Sequence, residues 1–108
     1  PGCWHLGLRR ESSLVAVCSW VPRPHHEQPA VQLRGMATDR SLQGTGLGGM
    51  LLERGCRIAH ERGFTLVWAR ARDAALAFYE RHGFTVEGDG FIDQATQMPH
   101  HVITRALG

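Results

Sequence analysis

The chain has 108 residues, of which 43% are hydrophobic and 20% charged, and a net charge of +2 at pH 7. This composition is typical of a globular domain, and the length supports one hydrophobic core. Arginine and glutamate are interspersed, which excludes the basic stripe expected of a nucleic-acid-binding protein. We find neither an apolar run long enough for a bilayer nor a leader pattern, and the three cysteines are unclustered. We therefore expect a cytoplasmic protein with reduced thiols and no membrane partner.

Strand-forming runs dominate the first part of the chain. Residues 4–9 and 14–20 flank a polar turn and predict a β-hairpin. A loop with three prolines follows at 22–29, because proline cannot donate to a sheet ladder. Residues 31–38 alternate between apolar and polar side chains, with Leu33 and Gly35 on one face and Met36 on the other, and predict a third strand.

Helical patterns begin after this third strand. Leu47, Leu51 and Ile58 recur at helical spacing and predict a helix over 47–62 that ends at Gly63, with Glu53 and Arg57 as an i, i+4 ion pair. Asp73 is expected to cap a second helix. The remaining predicted elements are a strand at 65–70, the second helix up to Gly83, and strands at 84–87 and 101–105.

The segment Gln-Gly-Thr-Gly-Leu-Gly at 43–48 lies between the third strand and the first helix. Gly44, Gly46 and Gly48 lack the Cβ atoms that would keep an anion away from the backbone. The helix that follows presents unpaired N–H groups and the positive end of its dipole. The sequence therefore predicts a binding site for a ligand that carries phosphate.

Two familiar phosphate loops fit this segment poorly. A P-loop needs a lysine after its last glycine, and the chain contains no lysine. Residues 44–49 do match the dinucleotide pattern G-x-G-x-x-G, and Arg70 and Arg72 lie about where the ribose of NADP would be read. In a dinucleotide fold, however, the first glycine directly follows the strand, whereas residues 39–43 intervene here. An NADP-binding oxidoreductase is thus one alternative.

Two motifs together resemble the GNAT superfamily of N-acetyltransferases. Residues 33–39 followed by 43–48 are similar to the family's strand and its Q/R-x-x-G-x-G/A pyrophosphate loop. Residues 75–84, Ala-Leu-Ala-Phe-Tyr-Glu-Arg-His-Gly-Phe, are similar to the family's A-x-x-F-Y-E-x-x-G-F helix and following strand. Residues 90–92 and 98–101 are similar to the ElaA-like subgroup. The resemblance covers residues 4 to 107.

The resemblance implies an α/β fold, a mixed twisted β-sheet with two main helices, that forms a single acetyl-CoA-binding domain over residues 1–108. It implies an enzyme that moves acetyl from acetyl-CoA to a small-molecule or peptide amine by direct attack. A GNAT-like module that binds acyl-CoA without turning it over is the second alternative.

The N-terminal part of the sequence differs from the family pattern. The first element of this chain corresponds to the family's second strand, so we expect the usual first strand and two helices to be missing. An uncovered sheet edge is a template for pairing, and we expect self-association, at least as a homodimer. The side chains expected to be exposed by this loss are Leu6, Leu8, Val15 and Val17.

The resemblance also assigns a cofactor site. The strand at 36–38 is expected to splay from the strand at 66–70, so that pantetheine amides pair with its backbone. The N–H of Met36 would stabilise the oxyanion formed during attack. Arg72 stands where many family members have an asparagine. The implied cofactor-binding residues are Met36, Ala37, Thr38, Gln43, Gly44, Thr45, Gly46, Leu47, Gly48, Arg72 and Phe78.

Catalytic candidates follow from the same resemblance and from side-chain chemistry. Tyr79, the sole tyrosine, occupies the position from which the family's tyrosine reaches the cofactor sulfur. A phenol with a pKa of about 10 can protonate a departing thiolate with a pKa of about 8.5 at modest cost. Glu87 and His100, together with His101, are candidates for the base, acting through water.

Histidine pairs at 25–26 and 100–101 raise the question of a metal site. Adjacent residues on a strand point to opposite faces, and no cysteine or carboxylate stands at ligand spacing in the sequence. We therefore predict no metal, and we interpret Trp4, Trp20 and Trp68 as core or interface aromatics.

Overall fold

A computed structural model describes residues 2–38, 44 and 46–108 of the chain. Its elements are β1 (Trp4–Arg10), β2 (Ser13–Pro22), β3 (Ala30–Thr38), α1 (Leu47–Glu61), β4 (Leu66–Arg72), a 3-10 turn (Asp73–Ala75), α2 (Leu76–Arg81), β5 (Thr85–Ile92) and β6 (Pro99–Ala106). The strands form one sheet in the order β1-β2-β3-β4-β6-β5. Among the described strands, β3 and β4 pair in parallel and the other neighbours are antiparallel.

The predicted α/β fold class, a mixed sheet with two main helices, is confirmed. Each strand and helix expected from the sequence is present, and most differences are shifts of one to a few residues at the ends. Gly63 and Gly83 follow the two helices with φ of +91° and +84°, the left-handed conformation that a glycine adopts at low cost. None of the helices in the described part of the chain has the length and hydropathy needed to cross a bilayer.

Two side-chain interactions expected along the helices are replaced by tertiary ones. Asp73 makes no capping hydrogen bond and begins a 3-10 turn, and its Oδ1 lies 2.6 Å from Nδ1 of His101 on β6. Glu53 contacts Arg105 on β6 rather than Arg57 one helical turn away. In both cases a partner from a neighbouring strand outcompetes the local one.

The core lies between the sheet and α1. Its fully buried side chains include Trp20 on β2, Leu52 on α1 and Ile103 on β6. Gly55 allows close packing here, since a Cβ at this position would overlap the Trp20 ring. The fold therefore depends on a glycine inside a helix, where local propensity disfavours it. The three tryptophans are buried, Trp4 at 9%, Trp20 at 0% and Trp68 at 7% exposure, as predicted.

A β-bulge in β3 changes which side chains face α1. The β2–β3 register shifts between Val17 and Ser19, and on β3 Gly35 adopts a φ of +62°. Beyond the bulge, Met36 packs against the core, whereas simple alternation had placed it on the face opposite Leu33. The predicted alternation is wrong from Gly35 onward, because a bulge inserts one residue and reverses the facing of those that follow.

Apolar side chains of the N-terminal hairpin, β1 and β2, are more buried than we expected. Val15 is 7% exposed and buried in the core, which contradicts its predicted exposure. Leu6 and Leu8 are partly buried against the core, and Val17 is half-buried. Leu14, which was not predicted, is the exposed apolar residue of this hairpin, at 49%. Self-association stays a prediction.

Candidate active site

The sheet opens between β3 and β4. Their parallel ladder joins Ala30–Gln32 to Leu66–Trp68 and ends there. Farther along, β3 still pairs with β2, and β4 still pairs with β6. Strands β3 and β4 therefore separate from each other while each keeps its other neighbour. The separation leaves a slot whose walls are strand backbones that no longer pair with each other.

A cleft of about 950 Å³ occupies this slot and the space between the two helices. The end of β3, the loop glycines, the first turn of α1, and α2 all contribute to its walls. The residues that line it are Met36, Ala37, Thr38, Gly44, Gly46, Gly48, Gly49, Met50, Glu53, Arg72, Ala74, Ala75, Phe78, Tyr79, Arg81 and His82.

The beginning of α1 forms an anion-binding end of the cleft. Gly46 is the N-cap residue with a φ of +87°, and no side-chain hydrogen bond caps the helix among the described residues. The first helical hydrogen bond runs from the N–H of Met50 to the carbonyl of Gly46, at 3.0 Å. The preceding N–H groups therefore have no helical acceptor, and no acidic residue lies in the first turn to neutralise them. An anion such as phosphate can bind here.

Two further glycines keep the cleft open. A Cβ on Gly48 would lie 2.8 Å from Oγ1 of Thr38 and 3.4 Å from Cε of Met36. A Cβ on Gly49 would lie 2.6 Å from Nε2 of His82. Any larger residue at these positions would fill the cradle between β3 and the two helices, so this end of the cleft fits a ligand that approaches the backbone closely.

Tyr79 lies in the cleft wall at 8% exposure. Its ring packs edge-on against Phe78 and Phe84, at centroid distances of 5.1 and 5.5 Å. Burial raises the pKa of the Tyr79 phenol to about 12, although the charge of Arg72 acts in the opposite direction. Tyr79 is therefore a weaker acid than the ordinary phenol assumed from the sequence, and it stays protonated at neutral pH.

An ion-pair cluster forms another part of the wall. The Arg105 guanidinium donates two hydrogen bonds to the Glu53 carboxylate, at 3.0 and 3.1 Å, and Nδ1 of His82 lies 2.8 Å from Oε2 of Glu53. Burial alone would raise the pKa of Glu53, but the hydrogen bonds from Arg105 and His82 outweigh it and lower the pKa. The cluster holds α1 to β6 and to the end of α2.

Most of the predicted cofactor residues come together in the cleft. Those that line it are Met36, Ala37, Thr38, Gly44, Gly46, Gly48, Arg72 and Phe78. Leu47 is half-buried at the start of α1 and is not part of the lining. Gln43 and Thr45 lie outside the described residues.

The three candidate bases lie outside the cleft lining. Glu87 on β5 is within hydrogen-bonding distance of His25 and His26. His100 on β6 is 6% exposed and stands opposite Arg72 in the β4–β6 register, with its Nδ1 2.9 Å from the carbonyl of Met98. His101 contacts Asp73.

The premise used against a histidine metal site at 25–26 is wrong. These residues lie in a turn rather than on a strand, and both side chains reach the Glu87 carboxylate. Glu87, about 60 residues away in the sequence, is the carboxylate that we did not find near the histidines in the sequence.

Sequence reasoning missed Glu53 and His82 as parts of the cleft wall. A partial signal existed, because Gly49 and Glu53 are separated by one helical turn and share a face of α1. The contact with His82 joins two separate helices and has no local sequence signal.

A family model described as the acetyltransferase (GNAT) family matches residues 1–84. The match covers most of the chain, including the slot, the glycine loop and the helix that carries Tyr79. The chain therefore belongs to the acetyltransferase (GNAT) family, a class of acyltransferase enzymes, as predicted. A search of curated protein sequences finds no significant match.

Solved structures agree with this assignment. An acyl-CoA N-acyltransferase from Pseudomonas aeruginosa is 25% identical, with a TM-score of 0.81 over 96% of this chain and 68% of its own. An aminoglycoside 6'-N-acetyltransferase complexed with coenzyme A is 12% identical, with a TM-score of 0.83 over 98% of this chain and 73% of its own. Escherichia coli ElaA is 18% identical, with a TM-score of 0.81 over 97% of this chain and 69% of its own.

Proposed function

We propose that residues 1–108 form a single domain that binds acetyl-CoA in the cleft and transfers its acetyl group to an amine. The observation that carries this proposal is the cleft itself, in which a splayed strand pair, an uncapped helix start and Tyr79 converge. The coenzyme A complex of the aminoglycoside 6'-N-acetyltransferase, which has a similar fold, supports coenzyme A as the occupant.

In this proposal the pyrophosphate binds at the start of α1. The free N–H groups after Gly46 donate to its oxygens, and Gly44 lines the same end of the cleft. We also assign Gln43, Thr45 and Leu47 to this site, on the resemblance alone. The pantetheine arm follows residues 36–38 of β3, where the missing β4 partner leaves room for an added strand-like pairing. Phe78 and Arg72 contact the arm from the opposite wall.

The chemistry we propose is direct attack. The amine nitrogen attacks the thioester carbonyl carbon, and the Met36 N–H stabilises the oxyanion, a contact worth about 3 kcal/mol. The tetrahedral intermediate then collapses, the carbon–sulfur bond breaks, and the amide and the CoA thiolate are released. The nitrogen loses its proton to a base.

Tyr79 assists the departing thiolate mainly as a hydrogen-bond donor. Its pKa is raised to about 12. Moving its proton completely to a thiolate with a pKa of about 8.5 would cost about 5 kcal/mol. A short hydrogen bond from the phenol to the developing negative charge needs no such transfer, and the thiolate takes its final proton from solvent.

Of the candidate bases, we favour His100 acting through water. It stands opposite Arg72 and is thus one strand from the cleft, whereas Glu87 lies on β5, one strand farther. The bond between Nδ1 of His100 and the Met98 carbonyl requires a proton on Nδ1, which leaves Nε2 as an acceptor. An imidazole with a free Nε2 lone pair is suited to accept a proton.

The two alternatives differ from this proposal in testable ways. A dinucleotide fold is built on a mostly parallel sheet, whereas the described strands contain one parallel pair. This observation disfavours NADP. A module that binds acyl-CoA without catalysis would share the cleft and would differ in turnover alone.

The proposal is tested first by calorimetric titration with coenzyme A and, separately, with NADP. We expect coenzyme A to bind in preference to NADP. Gly46→Val should weaken this binding by roughly tenfold or more, about 1.4 kcal/mol, because a β-branched residue is strained at positive φ and enters the phosphate site. Gly63→Val is the matched control, since Gly63 has a similar φ of +91° but lies at the other end of α1.

Turnover is then measured by mass spectrometry of acetylated amines, which avoids background from the exposed thiol of Cys3. Tight NADP binding without a coenzyme A signal would contradict the proposed function. Unchanged coenzyme A affinity in Gly46→Val would exclude the glycine loop as the site. Coenzyme A binding without acetylation of any amine in a broad panel would favour the module without catalysis.

A further inference from the structure

Three potential metal ligands converge beside Trp68 of β4, outside the residues that line the cleft. Nε2 of His25 lies 2.8 Å and Nε2 of His26 2.9 Å from the same Oε1 of Glu87. One ligand atom from each residue lies within 4.8 Å of the other two. The histidines belong to the β2–β3 loop and the glutamate to β5, so the cluster joins parts of the chain about 60 residues apart.

The turn explains how adjacent histidines reach one carboxylate. His25 and Gln28 exchange backbone hydrogen bonds of 3.1 and 3.3 Å, which closes a tight turn. The two central residues, His26 and Glu27, have φ of +52° and +62°. This mirror-image turn is unusual for residues other than glycine, asparagine and aspartate, and its curvature brings the His25 and His26 rings to a centroid distance of 4.1 Å.

The position of His25 is set before any ion binds. Its ring stacks on Trp68 at 4.7 Å with an interplanar angle of 17°, and its side chain is 14% exposed. Nε1 of Trp68 donates a 3.0 Å hydrogen bond to the carbonyl of Arg23 in the same loop. The loop and one ligand are therefore held by a buried strand residue, which lowers the entropy cost of forming a site.

We propose that His25, His26 and Glu87 bind a divalent transition-metal ion, with zinc as the expected ion. Two imidazoles and one carboxylate are a ligand set that zinc accepts, with a fourth position left for water. Ligand atoms around a tetrahedral zinc ion lie about 3.3 Å apart. The two histidine–glutamate separations of 2.8 and 2.9 Å therefore need to widen by about 0.5 Å to admit the ion. The side chains of His26 and Glu87 are 71% and 39% exposed, so an ion can enter from solvent.

The site serves to fasten the β2–β3 loop to β5. The same loop covers Trp68, so fastening it protects a buried strand face. None of the three ligands lines the cleft, and the site is independent of the proposed acetyl transfer. The competing explanation is a cluster held by hydrogen bonds alone, in which Glu87 accepts from both histidines without an ion.

The experiment is a calorimetric titration of tag-free protein with zinc chloride in a buffer that does not chelate metals. We expect one zinc ion per chain with a micromolar dissociation constant. We also expect zinc to raise the melting temperature and to shift the imidazole proton resonances of His25 and His26.

His26→Asn is the decisive variant, because asparagine tolerates the left-handed backbone at position 26 and the side chain is largely exposed, so the fold should survive. Glu87→Gln is the second, since it keeps the shape of the side chain. Each should weaken zinc binding by more than the roughly 10- to 100-fold that loss of an outer-shell partner causes. His60→Asn, an exposed histidine in the last turn of α1, is the control and should leave zinc affinity unchanged.

The absence of a zinc signal in the wild-type protein would overturn the proposal and leave a hydrogen-bonded cluster. Zinc binding that survives in both His26→Asn and Glu87→Gln would also overturn it, because the ion would then lie elsewhere. Coenzyme A titration of His26→Asn should match the wild type, which separates a failure here from a failure of the proposed acetyltransferase function.

Discussion

The two halves of the β3–β4 pair have opposite properties. In the closed half, Ala30–Gln32 pairs with Leu66–Trp68, and Val31 and Val67 have no exposed surface. In the open half, residues 36–38 and 69–72 face each other without a ladder, and Ala37 and Arg72 are exposed in the cleft. One pair of strands thus supplies both the centre of the core and the centre of the site.

Glycines in α1 follow the same division. Gly55 makes room for the Trp20 ring of β2 in the core, so its lack of a Cβ serves packing. Gly48, over the open half, leaves space beside Thr38 and Met36, so its lack of a Cβ serves the cleft. The role of each glycine in α1 therefore depends on what its missing side chain would contact, the core at Gly55 and the cleft at Gly48.

The largest effect is expected from Gly55→Ala, which changes the packing of the core. The new Cβ would overlap the Trp20 ring, which is fully buried and cannot move without displacing the core. Overpacking of this kind costs typically 1–3 kcal/mol, and we expect a loss near the upper end, about 3 kcal/mol. Urea unfolding followed by tryptophan fluorescence measures it.

Gly49→Ala is the matched control on the same helix. Its Cβ would meet the ring of His82, whose side chain is 25% exposed and can rotate away. Its stability loss should be much smaller. Equal losses in the two variants would show that helix backbone effects, rather than the Trp20 contact, set the cost.

A smaller effect is expected from Tyr79→Phe in the open half. The change removes the phenolic hydrogen-bond donor while keeping the ring that packs against Phe78 and Phe84. We expect kcat to fall roughly 100-fold, equivalent to about 2.7 kcal/mol, with coenzyme A affinity nearly unchanged. Steady-state kinetics and calorimetry measure the two quantities.

Denaturant unfolding of Tyr79→Phe is the control that shows whether the variant is folded. Unfolding should remain cooperative near neutral pH, because the buried ring is retained. An unchanged kcat would remove Tyr79 from the mechanism, and a parallel loss of coenzyme A affinity would indicate a role in binding rather than in the departure of the thiolate.

The smallest effect is expected from Glu53→Gln in the wall of the cleft. The Glu53 side chain is 43% exposed, so solvent screens its bonds with Arg105 and His82. We expect a loss of roughly 0.5–1 kcal/mol near neutral pH. Because the folded-state pKa of Glu53 is lowered, its contribution is present above its unfolded pKa and disappears as the pH falls through the folded value.

Denaturant unfolding of wild type and Glu53→Gln at pH 7 and at pH 3 tests this dependence. The two proteins should differ at pH 7 and converge in acid. A difference that stays constant with pH would mean that shape, rather than the charge of Glu53, accounts for the effect. Arg57→Ala, on an exposed part of α1, should change stability little at either pH.

Much of the fold could be predicted from local patterns. The helix at 47–62 and its end at Gly63 were expected because helical spacing and positive-φ glycines leave a strong local signal. The glycine loop and the motif around Tyr79 predicted several of the residues that line the cleft for the same reason. Such features depend on neighbours within one helical turn or one loop.

Predictions failed where a distant partner competed with a local one. Asp73 contacts His101 instead of capping a helix, and Glu53 contacts Arg105 instead of Arg57. The bulge at Gly35 reversed the facing of Met36. Each outcome depends on a strand that pairs alongside, and periodicity within one segment contains no information about that strand.

The order of the elements, the glycine-rich start of α1 and the family could all be read from the amino-acid sequence. These features depend on backbone preferences and on motifs that are contiguous in the chain. The tertiary structure alone decided where β3 leaves β4, how far burial raises the pKa of Tyr79, and that His25, His26 and Glu87 meet. Sheet pairing and burial bring together residues that are far apart in the chain, and electrostatic energies depend on those distances in space.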